Sequence, residues 1–232
     1  MTADFEAFTD RVEAGRELAG SLAHLGSDVL VLGLPRGGVP VAAQVAESLG
    51  APLDVYVGRK LGVPGHEELA MGAIASGGVR VLDVRRAQTL GVSERDIEEV
   101  ARRELVELRR REEAYRGNRP IPDARGKTGV VVDDGLATGA TMQAAVRGLR
   151  ERGAGRIVVA VPVASAQACS ALAEEADQLV CLHQPEPFMA VGRWYDDFRP
   201  TTDEEVRHLL SGRVGEEPAN LGRLPGRRRA AQ

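Results

Sequence analysis

The chain is poor in lysine, cysteine and aromatic residues, and it has no long uninterrupted apolar run. Lys60 and Lys127 are the only lysines, so nearly all the positive charge is arginine, and a formal net charge of -4 gives no reason to expect nonspecific nucleic-acid binding. Cys169 and Cys181 have neither metal-ligand spacing nor the density of a disulfide framework, and they read as reduced core residues of a cytoplasmic protein. No segment is long and apolar enough to span a bilayer. Asp4, Glu6 and Asp10 stand where a signal peptide would be basic and then apolar. Aromatics make up 3% of the residues, and three of them, Trp194, Tyr195 and Phe198, cluster late in the chain.

What is present is an ordinary globular composition, 43% hydrophobic and 28% charged over 232 residues, enough for one sizeable α/β core and a small appendage. The stretch that organises it is Gly129 to Met142, GVVVDDGLATGATM. Val130 to Val132 form a continuous apolar run, as expected of a parallel strand covered on both faces. Asp133 and Asp134 follow at its carboxyl end, where open α/β sheets bind ligands. Ionised carboxylates only accept hydrogen bonds, so an adjacent pair suits two donor hydroxyls of a sugar and repels a phosphate. Gly135 to Thr141 contains no acid, its glycines let backbone approach closely, and Thr138 and Thr141 add hydroxyl donors to amides at a helix N-terminus. Acceptors come first and donors second, which matches ribose hydroxyls beside a 5-phosphate. Any one of these features also fits a plain strand, turn and helix. Gly126-Lys127-Thr128 imitates the end of a nucleotide-binding P-loop, but Ile121 occupies the required first glycine position and the triplet precedes a strand instead of following one.

At DDGLATGAT the chain resembles the type I phosphoribosyltransferases, whose hallmark is an apolar strand, two acids and a loop of this form. The resemblance implies an α/β fold with a Rossmann-like open parallel sheet flanked by helices and a small C-terminal hood. It also implies that the loop holds 5-phosphoribosyl 1-diphosphate, with Ala137, Thr138, Gly139, Ala140 and Thr141 on the 5-phosphate. Asp133 and Asp134 would meet the ribose hydroxyls directly or through Mg2+. Gly135 departs from the aliphatic residue usual after the acids.

Two further loops carry weaker signals. Val29 to Leu34 reads as the first core strand, and Leu34-Pro35-Arg36-Gly37-Gly38 after it offers a fork of donors and a close backbone approach. Its position is similar to that of the family's diphosphate-binding loop, which implies contacts from Arg36 and Gly37. The strand Leu53 to Val57 ends at Arg59-Lys60, a pair that resembles one in several nucleobase and orotate enzymes. On that resemblance Arg59 and Lys60 face the diphosphate, Lys60 aids its departure, and roughly Leu61 to Leu69 is a mobile lid. His66, Glu67 and Glu68 in it read as exposed loop side chains.

The first helix is expected to be capped by Thr2 or Asp4 and to bury Phe5, Phe8, Val12, Leu18, Leu22 and Leu25. Met71 to Ala75 and Val79 to Asp83 read as a hairpin-like extension. Ser93 caps a long helix (93–116) whose narrow apolar stripe suits the domain surface or pairing with a second subunit as a homodimer. Its Glu98/Arg102, Glu99/Arg103 and Glu107/Arg111 pairs have i,i+4 spacing. A helix to about Arg152, strand Arg156 to Val163, a helix capped by Ser165 and strand Gln178 to His183 follow. The core is thus expected over 1–183 and a hood-like segment over 184–211, in which the late aromatics either stack on a planar acceptor or form a small local core. Thr202 and Glu205 make a capping box. Residues 212–232, rich in Gly, Pro and Arg, are expected to be disordered.

The resemblance implies transfer of 5-phosphoribosyl to a nitrogenous acceptor that the sequence does not name, such as a nucleobase. Mg2+ would be carried mainly by the substrate, with no dedicated metal cage. The competing reading is a regulator that binds the same ligand, or a nucleotide, without turnover.

Overall fold

Asp10 opens the first helix. In a computed structural model that describes residues 7–212, apart from 27, 118 and 121 and the side chain of 68, its carboxylate accepts from the amides of Val12 and Glu13 and caps α1 (Arg11–Leu22). The caps expected at Thr2 or Asp4 lie outside the described residues, and Phe8 is not helical but bridges to Tyr195. Strand β1 (Val29–Gly33), buried throughout, leads to α2 (Gly38–Leu49), which Gly50 ends in the left-handed region. Strand β2 (Leu53–Val55) stops short of the expected Val57: the Tyr56 amide makes the last ladder bond, to Gly33 at the end of β1, and the Val57 amide donates to the Ser76 hydroxyl instead.

The segment 61–69, expected as a mobile loop, forms the turn of a β-hairpin with its flanking strands. Strands β3 (Gly58–Val63), β4 (His66–Ala75) and β5 (Arg80–Leu82) form an antiparallel sheet, with register shifts on either side of Gly62. The physical reason is burial: Leu61, Val63, Met71 and Ile74 pack against Val100, Ala101 and Leu108. A short helix α3 (Val84–Thr89) precedes α4 (Glu94–Arg116), whose Ser93 cap is completed by Asp96 as a capping box. Glu107 pairs with Arg111 as expected, whereas Glu98 reaches across to Arg80 of β5 at 2.6 Å.

Strand β6 (Thr128–Val132), helix α5 (Ala140–Glu151), strand β7 (Arg156–Val163), helix α6 (Ala166–Ala173) and strand β8 (Gln178–His183) follow. The parallel sheet has the order β2-β1-β6-β7-β8. Helices α1 and α2 cover the face carrying Val31, Val130, Val132 and Val158, while α5 and α6 cover the face carrying Leu32, Val131 and Val159. Val130 to Val132 are 0% exposed, and full burial stabilises by roughly 1.5–3 kcal/mol per such side chain. The chain runs outward in opposite directions from β1 and β6, which makes the gap between their carboxyl ends the topological switch point of the sheet.

The late aromatics form a local core. Tyr195 and Phe198 pack with Phe8, their rings 5.2 Å apart and the Phe8 ring 5.6 Å from Tyr195, and helix α7 (Asp203–Leu210) closes the described chain under its Thr202/Glu205 box. The tail expected to be disordered lies, from 213 onward, outside the described residues. Among the described residues no helix is long and apolar enough to cross a membrane.

Candidate functional site at the sheet switch point

Asp133 and Asp134 leave the end of β6 directly beneath the loop that follows β1. The fit is close. A Cβ on Gly37 would lie 2.0 Å from Asp134 Oδ2, and one on Gly38 would lie 2.8 Å from the Asp133 Cα, so only glycine lets this loop approach the acids. The Pro35–Arg36 peptide bond in the same loop is cis.

Each acid is held by a donor. The Asp134 amide donates to Asp133 Oδ1 at 2.9 Å, and the Arg11 Nε donates to Asp134 Oδ2 at 2.8 Å. The Tyr195 hydroxyl donates to the Asp134 carbonyl at 2.6 Å. Burial raises the Asp133 carboxyl well above its ordinary value, and the charge of Asp134 adds to that effect. Burial also raises Asp134, against which the Arg11 guanidinium acts. Burial, followed by the Asp134 charge, pushes the Tyr195 hydroxyl up, so it remains a donor at neutral pH.

Beyond the acids, Leu136 is pinned between Val163 and Ser165, and the Ser165 hydroxyl donates to the Ala137 carbonyl at 2.7 Å. Ala137 and Thr138 are exposed at the loop crest, and Gly139 turns into α5 at φ +75°. Of the helices described, α1, α3, α4, α6 and α7 are each capped by a side chain. Among the described α-helices only α2 and α5, which open at the switch point, have no side-chain cap. An uncapped N-terminus presents donors and positive dipole ends to whatever lies before it. Acceptors at Asp133 and Asp134 thus adjoin donors at Ala137 to Thr141, an arrangement able to take a polyol on one side and an anion on the other.

The structure separates the remaining expected residues. A Cβ on Gly58 would lie 2.2 Å from the Thr141 methyl, so the base of β3 abuts the loop 137–141. Strand alternation puts Lys60 on the same face as Gly58, toward α5, and it is exposed. Arg59 faces the other way, where its fork donates to Glu104 of α4 at 2.9 and 2.6 Å. Arg36 is half-exposed and lies 3.8 Å from Asp203 at the start of α7. Gly135 now has a structural reason: a Cβ there would lie 2.5 Å from Val191, whose segment crosses above it.

Sequence reasoning missed Arg11 and Glu104. A signal existed for Arg11, because a cation in the first turn of a helix opposes the helix dipole and needs a partner elsewhere. Any Mg2+ here would touch Asp133 and Asp134. Their hard carboxylate oxygens suit the ion, and the ligand's oxygens and water would complete its shell, since among the described residues no three His, Cys, Asp or Glu side chains converge on one point.

The phosphoribosyl transferase domain family model matches residues 4–192. Two curated Mycobacterium tuberculosis proteins, of strains CDC 1551 and H37Rv and provisionally named phosphoribosyl transferases, are each 52% identical over 206 residues, covering 88% of this chain and 46% of theirs. The chain therefore spans about half the length of these relatives. The crystal structure of TT1426 from Thermus thermophilus matches with a TM-score of 0.77 at 46% identity, covering 88% of this chain and 97% of that one.

Proposed function

Because the chain belongs to the phosphoribosyl transferase domain family, we propose that it transfers 5-phosphoribosyl from 5-phosphoribosyl 1-diphosphate to a nitrogenous acceptor, in a cytoplasmic setting. The observation that carries this reading is the order of groups at the switch point, where a carboxylate pair is followed by an uncapped helix opening through Gly139. Asp133 and Asp134 accept from the ribose hydroxyls, and Ala137 to Thr141 hold the 5-phosphate. Lys60, on the face toward α5, and Arg36 with Gly37, from the loop above the acids, face the diphosphate. Arg59 reaches it only by leaving Glu104.

In the step, the bond from the anomeric carbon to the diphosphate oxygen breaks with its electron pair leaving on diphosphate. The acceptor nitrogen then bonds to that carbon and gives up a proton. The sugar carries cationic character between these events, so the residues' work is to hold it, to neutralise the leaving group and to keep water out. When bound, Mg2+ supplies charge neutralisation on the diphosphate oxygens.

One observation favours a second reading. The Arg59 fork is already occupied by a carboxylate, as expected of a protein that binds the ligand without helping diphosphate leave. Diphosphate release, assayed with the substrate, Mg2+ and a panel of purines, pyrimidines and small amines, decides between them. Release with one acceptor supports the transferase, whereas binding without release for all of them supports the regulator. Absence of binding removes both.

A further inference from the structure

We infer that Arg11 is a positioning residue of the ligand site, clamping Asp134 so that the acid pair presents its acceptor oxygens in one fixed arrangement. This rests on the reading of the pair as a ribose-binding element. Arg11 occupies the first position of α1, one residue after the Asp10 cap, where a cation is disfavoured by the helix dipole. Its side chain is nevertheless 11% exposed, so its charge is paired away from its own helix. The partners come from distant parts of the chain. Nε donates to Asp134 Oδ2 at 2.8 Å, Nη1 donates to the Arg199 carbonyl at 2.9 Å, and the guanidinium carbon lies 4.0 Å from the centre of the Phe198 ring. A planar fork with donors in two directions and a stacking face fits this place, and an ammonium does not.

A tie between the two ends of the chain would be complete with the Arg199 carbonyl and Phe198 alone. The bond to Asp134 adds something else, because that carboxylate stands in the candidate site, where even a Cβ on Gly37 would fall 2.0 Å from the same Oδ2. The two acids therefore do different work. Asp134 is anchored from behind by Arg11 and by Tyr195 on its carbonyl, while the Asp133 carboxyl interacts with its neighbour alone, accepting from the Asp134 amide and sharing a hydrogen bond with the Asp134 carboxyl, among the contacts of the described residues. Asp133 is then the main contact for the sugar, and Arg11 sets where its companion stands.

The test is a mutant cycle on the full chain, read by calorimetric titration of 5-phosphoribosyl 1-diphosphate with Mg2+, with thermal melts as a folding control. R11M is expected to weaken binding about 10- to 100-fold, the usual cost of losing a residue that orients a ligating group. D134N is expected to add little in the R11M background, whereas D133N still adds its full loss. R11K, which keeps the charge and loses the fork, should recover part of the affinity. F198L, which removes the stacking and leaves the bond to Asp134, should bind nearly as the wild type does. Wild-type affinity in R11M, or equal D134N losses with and without Arg11, would overturn the inference while leaving the ribose reading intact. If R11M does not fold, the same cycle with R11K decides, and an unchanged R11K affinity counts against the clamp. A wild-type chain that does not bind removes the ribose reading and the clamp together.

Discussion

The two sides of the molecule are held together by opposite means. Along strands β1, β6 and β7 of the parallel sheet the buried side chains are apolar, and the charges begin where the strands end, at Asp133 and Asp134. Beneath the hairpin and α4, charge goes inside: Arg116, with its side chain 2% exposed, donates to Asp54 at 2.9 Å and to the Val55 carbonyl, and Glu104 holds Arg59. Apolar burial is indifferent to which neighbour supplies it, so the sheet is a fixed frame for the acids and the loop 137–141. Paired buried charge is conditional, because its worth depends on the partner staying in place. The side proposed to grip the sugar is framed by apolar burial, with the Arg11–Asp134 pair at its edge, whereas the Arg59–Glu104 contact on the side proposed to meet the diphosphate can be exchanged.

The largest expected effect breaks that second kind of contact. Arg116→Ala leaves Asp54 buried and unpaired and should lower stability by about 3–5 kcal/mol in chemical denaturation. Replacing both partners, as Asp54→Leu with Arg116→Met, should cost less than the single change. A double variant that is as unstable as the single one would show that the pair is not what matters there.

Next comes the side framed by apolar burial. Gly37→Ala puts a methyl onto Asp134, and titration with 5-phosphoribosyl 1-diphosphate and Mg2+ should show a loss of at least about 100-fold, near 2.7 kcal/mol. Ordinary affinity in this variant would mean that the loop and the acids do not bind the ligand together.

Much of this was legible because it is local. The strand-acid-loop-helix run at 129–142 and the caps at Ser93, Ser165 and Thr202 are written within a few residues of one another, and the structure keeps each cap. The buried ion pairs were not legible, since Arg11 and Asp134 are 123 positions apart, Arg116 and Asp54 are 62, and Arg59 and Glu104 are 45. Nothing in local spacing chooses such partners. The same reason explains Glu98, whose neighbour at i+4 was available but whose carboxylate went to Arg80 on another element. The strands within 61–69 were not legible because Pro64-Gly65 marks a loop and the irregular register around Gly62 breaks the alternation that identifies a strand.

A smaller effect probes the exchangeable contact itself. Glu104→Gln should cost about 1–2 kcal/mol of stability through the weakened bond to Arg59. It should also tighten binding of the diphosphate ligand by roughly two- to fivefold, because Arg59 no longer spends most of its time elsewhere. Looser binding in this variant would make Glu104 a support of the site and not a competitor for Arg59.

The smallest effect concerns the burden of the acids on the ligand-free fold. Burial raises the Asp133 carboxyl in the folded state, so its contribution is fully present below the ordinary carboxylate value and is lost as pH rises through the raised one. Asp133→Asn should therefore melt higher than the wild type at pH 7 in the presence of a chelator, and the gain should vanish as pH falls below the ordinary value. A gain that is the same at every pH would contradict the assignment to ionisation.

The most direct measurement is a crystal structure of the chain saturated with 5-phosphoribosyl 1-diphosphate and Mg2+. The ribose hydroxyls should lie on the Asp133 and Asp134 carboxylates, with the 5-phosphate on the amides and hydroxyls of Ala137 to Thr141. A sugar bound away from the acids, or a phosphate loop left empty at saturation, would contradict the account.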